Sequence, residues 1–158
     1  MLQNPLVVLW GIGNPLYGDD AAGPALANML KTKTPLWLRV FNCETVPENY
    51  VAPLRKISPA TLLIVDAADM DEDPGEIRRM GLGDFSNISF GTHGLPIDMM
   101  LEGMGINVVI IGIQPLSRDI GANISTPVRH AIGKLAELIT SGKWETIGSL
   151  HQEKRSPR

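Results

Sequence analysis

Leu6-Val7-Val8-Leu9-Trp10-Gly11-Ile12-Gly13-Asn14-Pro15-Leu16-Tyr17-Gly18-Asp19-Asp20 is the stretch that decides the fold. Its first five residues form an unbroken apolar run that halts at a Gly- and Pro-containing turn, the pattern of a strand buried on both faces. Beyond the turn, Ala22, Leu26, Met29 and Leu30 recur at helical spacing. A helix therefore follows, starting close to Asp19 or Asp20, with Pro24 acceptable only in its first turn. A buried strand feeding directly into a helix opens a parallel α/β unit.

Outward from this unit the alternation continues. Leu36–Phe41 reads as a second strand, Tyr50–Ile57 as a short helix, and Thr61–Val65 as a third buried strand ending at Asp66. Glu76–Met80 is a shorter, more polar strand suited to a sheet edge. Pro96–Met104 is helical by the spacing of Ile97, Met100, Leu101 and Met104, and Asn107–Ile113 is another apolar strand, closed by Gln114-Pro115. In the last helix Thr126 is the expected cap, Pro127 the first position, and Val128, Ile132, Leu135 and Ile139 the apolar stripe, up to Gly142. The pattern predicts one domain over residues 1–142 and a polar, loose tail over 143–158. The expected architecture is a mostly parallel sheet with helices on both faces, an α/β three-layer sandwich.

The 158 residues carry a net charge of −3, with 44% hydrophobic and 20% charged side chains, the balance of a single globular domain. Mild acidity gives no electrostatic footprint for nucleic acid, and no apolar run approaches the ~20 residues that cross a bilayer. Cys43 is the single cysteine, and the N-terminus has no signal-peptide pattern, so a cytoplasmic location is expected.

In parallel sheets ligands bind outside the carboxyl ends of the strands, here the loops after Trp10, Phe41, Val65 and Ile113. The helix from Pro96 precedes the Asn107 strand, so Gly91-Thr92-His93-Gly94 falls at the same edge. The first loop has the glycine spacing of a phosphate loop, but Asp19-Asp20 stands where Lys and Ser or Thr belong, and a third glycine for dinucleotide binding is missing at Leu16. A carboxylate pair at this edge attracts a cation. Helix capping explains one of Asp19 and Asp20. Asp20, Asp66 and His93 then bring two carboxylates and an imidazole from three loops, a donor set for Ni, Zn, Fe or Mn. His130 and His151 form no metalloprotease motif and take solvated or structural roles. Cys43 follows an apolar strand near carboxylates, a setting that disfavours the thiolate and points to a small buried hydrophobe.

Gly11 to Pro24 resembles the N-terminal motif of the hydrogenase maturation proteases, and Leu62 to Met70 with Pro74-Gly75-Glu76-Ile77-Arg78 resembles their second. Thr92-His93-Gly94-Leu95-Pro96 and Gly112-Ile113-Gln114-Pro115 are similar to two more, in the same order over residues 6 to 140, with the nearest likeness to the branch serving formate hydrogenlyase-type complexes. The resemblance implies an endopeptidase that removes a C-terminal extension from a nickel-iron hydrogenase large-subunit precursor once nickel is inserted. It also implies a five-stranded twisted sheet whose short fourth strand, Glu76–Met80, is antiparallel. The family's nickel-contacting trio falls on Asp20, Asp66 and His93, with nickel supplied by the precursor. One departure is Asn42-Cys43-Glu44, where many members have Asp followed by two glycines; Glu44 is then a candidate substitute carboxylate. The rival readings are a non-catalytic, metal-sensing chaperone of the same subunit and, more remotely, a peptidyl-tRNA hydrolase-like enzyme suggested by the Gly13-Asn14-Pro15 turn.

Overall fold

The structure, a computed structural model, describes residues 5–87, 89–90 and 96–150. In chain order its strands are β1 (Val7–Ile12), β2 (Leu38–Glu44), β3 (Thr61–Asp69), β4 (Ile77–Gly81), β5 (Ser89–Phe90) and β6 (Asn107–Ile113). Its helices are α1 (Ala22–Leu30), α2 (Val51–Ile57), α3 (Ile97–Leu101) and α4 (Thr126–Thr140). Five strands form the main sheet in the order β2-β1-β3-β6-β4, and β5 adds antiparallel to the far end of β3. Val7 lies opposite Leu38 and Thr61, and Thr61 opposite Asn107, all parallel. The expected antiparallel fourth strand is β4, at the edge, with Ile77 opposite Ile113.

Alternation along the strands builds two cores, because successive side chains point to opposite faces. Val7, Leu9, Leu63, Val65, Ile111 and Ile113 pack with α1 and α4 on one face. Val8, Trp10, Ile12, Leu62, Ile64 and Ile110 pack with Leu54 of α2 and with Ile97 and Leu101 of α3 on the other. These are the helix layers of the expected sandwich. Among the described residues no helix is long and apolar enough to cross a membrane.

Several boundaries differ from the sequence reading. The helix expected near Asp19 begins at Ala22, and Gly18–Ala21 form a 3-10 turn that carries both aspartates. Met29, assigned to the apolar stripe of α1, is exposed. β3 continues past Asp66 to Asp69, because β6 pairs with it as far as Ala67 opposite Ile113. α3 stops at Leu101, where Glu102 turns extended and Gly103 and Gly105 take positive φ. The N-cap of α4 is Ser125 rather than Thr126, since Thr126 is already helical. Residues 143–150, assigned by sequence to the loose tail, pack on the sheet edge through buried Ile147 and Leu150. There the Arg79 N–H donates to the Gly148 carbonyl at 2.9 Å. The rest of the tail lies outside the described residues.

Candidate active site

The chain leaves β1 through α1 to reach β2 on one side, then returns to β3 on the other, so the carboxyl ends of β1 and β3 flank a topological switch point. Two glycines bring α1 down onto that point. A β-carbon on Gly11 would strike the Gly23 carbonyl, and one on Gly23 would strike the carbonyls of Ile12 and Val65. Gly13 has a similar constraint, as its missing side chain leaves room for the Asp20 carbonyl. The turn bearing Asp19 and Asp20 is thereby held beside the end of β1, next to β3.

Asp66, the residue after Val65, is 1% exposed and lies opposite Gly112 of β6. Pairing between β1 and β3 ends at Gly11 and Val65, so Asp66 occupies the first position of β3 that β1 no longer covers. By strand parity it shares the face of Ile64 and Ala68, which α3 covers. Asp20 is 4% exposed, and its Oδ1 accepts from Nε of Arg118 at 3.1 Å. Both carboxylates thus stand at the predicted edge. His93 lies outside the described residues, and among the described residues no group of three or more His, Cys, Asp or Glu side chains could hold a metal ion. His130 is exposed on α4.

Asp19 does not cap its own helix. Oδ1 accepts from the Ser125 backbone N–H at 2.7 Å, while Oδ2 accepts from the Leu116 N–H at 2.8 Å, the Ser117 N–H at 3.2 Å and the Ser125 hydroxyl at 2.7 Å. It fastens the loop after β6 to the start of α4. Burial alone would raise the Asp19 pKa, but the bonds from Ser125, Leu116 and Ser117 outweigh it and hold the carboxyl below its ordinary value of 3.8. Arg118 rides on this fastened loop, and no local motif in the sequence marks it.

Gln114, within the fourth quoted motif, ties down the loop after β3. Its Oε1 accepts from the Met70 N–H at 2.6 Å and the Glu72 N–H at 3.3 Å, and its Nε2 donates to Asp69 Oδ1 at 3.2 Å. At the other side of the edge, β2 bulges where Gly11 pairs with Asn42 and Ile12 with Glu44. Cys43 is the extra residue, placed within the strand rather than after it, and buried in the α2–α3 core. Burial, and after it the charge of Glu48, push the Cys43 thiol far up in pKa, so the nearby carboxylate that matters is Glu48. Asn42 Nδ2 donates to Asn28 Oδ1 at 3.3 Å. Glu44 is exposed and holds φ at 47°, a left-handed conformation that glycine adopts without steric cost.

Comparison with known proteins agrees with this geometry. The family model of the HycI hydrogenase maturation proteases matches residues 24–142. Hydrogenase 3 maturation protease of Escherichia coli strain K12 is 33% identical over 150 residues, covering 92% of this chain and 94% of that protein. The solution structure of the endopeptidase HycI from Escherichia coli superposes with a TM-score of 0.82 at 30% identity, covering 94% of this chain and 98% of that one. The crystal structure of a NiFe hydrogenase maturation protease HycI from Thermococcus kodakarensis KOD1 gives 0.76 at 32% identity, covering 88% and 92%. With its sheet order, its buried edge carboxylates and these relatives all in accord, the chain belongs to the hydrogenase maturation protease family and is a peptidase.

Proposed function

We propose that this peptidase removes the C-terminal extension of a nickel-iron hydrogenase large-subunit precursor, and that it recognises the nickel already inserted there through Asp20, Asp66 and His93. The observation that carries the reading is the burial of two carboxylates, one from the 3-10 turn after β1 and one from β3, at the switch point between β1 and β3. Solvent-shielded carboxylates are costly without positive charge beside them. Asp20 already accepts a guanidinium at Oδ1, so this position is suited to a cation. Carboxylates and a neutral imidazole are donors that a borderline dication such as Ni²⁺ accepts.

On this reading nickel belongs to the substrate, and the protease reads it. Bound between the two proteins, the ion is able to polarise the scissile carbonyl or acidify a water. The chain's own share is to hold Asp20 and Asp66 in fixed positions: Asp20 by the turn that Gly13 and Gly23 seat on the sheet, Asp66 by pairing within β3. Nothing in this scheme needs an oxidising compartment or a disulfide, in keeping with a cytoplasmic enzyme whose one cysteine is a free, buried thiol.

The test is incubation with nickel-loaded and nickel-free precursor followed by intact-mass measurement. Loss of the extension from the loaded form alone is expected, and chelator treatment of the protease beforehand leaves the rate unchanged. Equal cleavage of both forms removes the gating role of nickel. Stable binding of the loaded form without cleavage selects the metal-sensing chaperone instead.

A second expected result concerns nucleophilic catalysis. Cys43→Ala keeps most of the processing rate, because a thiol buried in the core and raised in pKa is neither exposed nor ionised. An inactive but folded Cys43→Ala, judged by circular dichroism, would transfer the chemistry to a cysteine mechanism.

A further inference from the structure

Arg118 lies 3.1 Å from Asp20 with its side chain 29% exposed and that of Asp20 6% exposed, a pair largely withdrawn from water. Its position is built rather than incidental. The loop carrying it is clasped from both sides: Asp19 holds Leu116, Ser117 and Ser125, and the Asp19 N–H donates to the Ser117 carbonyl at 2.8 Å. Gly18, at φ 56°, leaves no room for a β-carbon against the Ser117 carbonyl, so turn and loop meet backbone to backbone. The adjacent aspartates therefore divide the work: Asp19 locks the loop that delivers Arg118, and Arg118 reaches Asp20.

We propose that Arg118 is the resident counter-ion of Asp20, which keeps free divalent ions out of the site and gives up the carboxylate only to a metal presented inside the docked precursor. This rests on the reading of Asp20 as a nickel contact. A guanidinium is charged at every physiological pH, so it leaves Asp20 by displacement and never by losing a proton. A dication approaching Asp20 alone meets this positive charge at close range and must also undo a partly buried ion pair. A metal held in the precursor brings with it the whole protein–protein interface, whose burial supplies the free energy for moving one arginine. Arg118 is thus a positioning and specificity residue, one that makes the protease respond to nickel in its protein setting rather than to nickel in solution.

The experiment is calorimetric titration of the metal-free, full-length protein with Ni²⁺ and Zn²⁺, comparing wild type with Arg118→Gln, Arg118→Ala, Arg118→Lys and the double variant Asp20→Asn/Arg118→Gln. Two neutral replacements guard against one failing to fold, which circular dichroism reports. The neutral variants are expected to bind Ni²⁺ at least about tenfold more tightly than wild type, since an unpaired buried carboxylate seeks a cation. Arg118→Lys keeps the charge and stays near wild type, and the double variant loses the gain. Unchanged or weaker binding by folded neutral variants overturns the proposal, as does a gain that survives Asp20→Asn. Flat titrations beside nickel-dependent processing by wild type remove only the role of Arg118. Equal processing of nickel-free and nickel-loaded precursor removes the nickel reading itself and this proposal with it.

Discussion

With Asp20, Asp66 and His93 proposed as the nickel contacts, Asp20→Asn, Asp66→Asn and His93→Ala are each expected to lower processing of nickel-loaded precursor by more than about a hundredfold, beyond the 10- to 100-fold typical of residues that merely support a metal ligand. The two Asn variants are nearly isosteric with the parent side chains. Asn at position 20 still offers an oxygen to Arg118, and Asn at position 66 keeps the backbone register of Asp66 with Gly112. What each loses is the negative charge that a dication requires. The measurement is single-turnover cleavage by intact mass, with folding followed by circular dichroism and precursor capture followed separately. Folded variants that cut at a tenth of the wild-type rate or faster would remove those residues from the reacting centre.

Asp19→Ala is expected to cost about 3 kcal/mol of folding free energy, because it removes a buried charged acceptor of four hydrogen bonds and leaves the partly buried donors of Leu116, Ser117 and Ser125 without it. For a chain of this length that corresponds to a fall in Tm of roughly 10 °C. Among the described residues the neighbouring Asp20 has one ion pair instead of four bonds, so Asp20→Asn is expected to shift Tm far less. Acid unfolding supplies the sign. The Asp19 carboxyl is held below its ordinary 3.8 in the folded protein, so its stabilisation is fully present above that value. It is lost as pH falls through the lower folded value. Stability of wild type therefore drops more steeply than that of Asp19→Asn below about pH 4, read by denaturant unfolding at a series of pH values. Parallel acid limbs would show that Asp19 does not carry this linkage.

The sheet was legible because its strands are nearly continuous apolar runs, and the parity of Val7, Val8, Leu9 and Trp10 decides the two cores without reference to anything distant. The stripe of α4 was legible for the same reason, as Val128, Ile132, Leu135 and Ile139 are all buried. Asp20 and Asp66 followed from strand order, which sends the turn after β1 and the carboxyl-terminal part of β3 to one edge. Asp19 and Asp20, by contrast, are chemically identical neighbours. What separates them is Ser125 and Arg118, about a hundred positions along the chain, and no local pattern encodes that. The N-cap at Ser125 is ambiguous in the sequence because the adjacent Thr126 is also a capping residue by type, next to Pro127. The bulge at Cys43 arises from pairing with β1 and leaves no mark in β2 itself. Packing of residues 143–150 depends on three apolar side chains, Trp144, Ile147 and Leu150, set among polar ones and too few to make a periodic signal.

The parallel register has a consequence for the life of the chain before it is folded. Val7 meets Thr61, and Thr61 meets Asn107, so every pairing that frames the edge joins segments far apart in sequence. Such long-range closure is slow and comes late, since the entropy of each large loop must be lost before its contacts form. Asp20, Asp66 and Arg118 are therefore scattered along a newly made polypeptide and become neighbours of one edge only when β6 has joined the sheet. A half-synthesised or partly unfolded molecule possesses none of this charge arrangement, so the ability to recognise a substrate at this edge arrives only with the completed sheet.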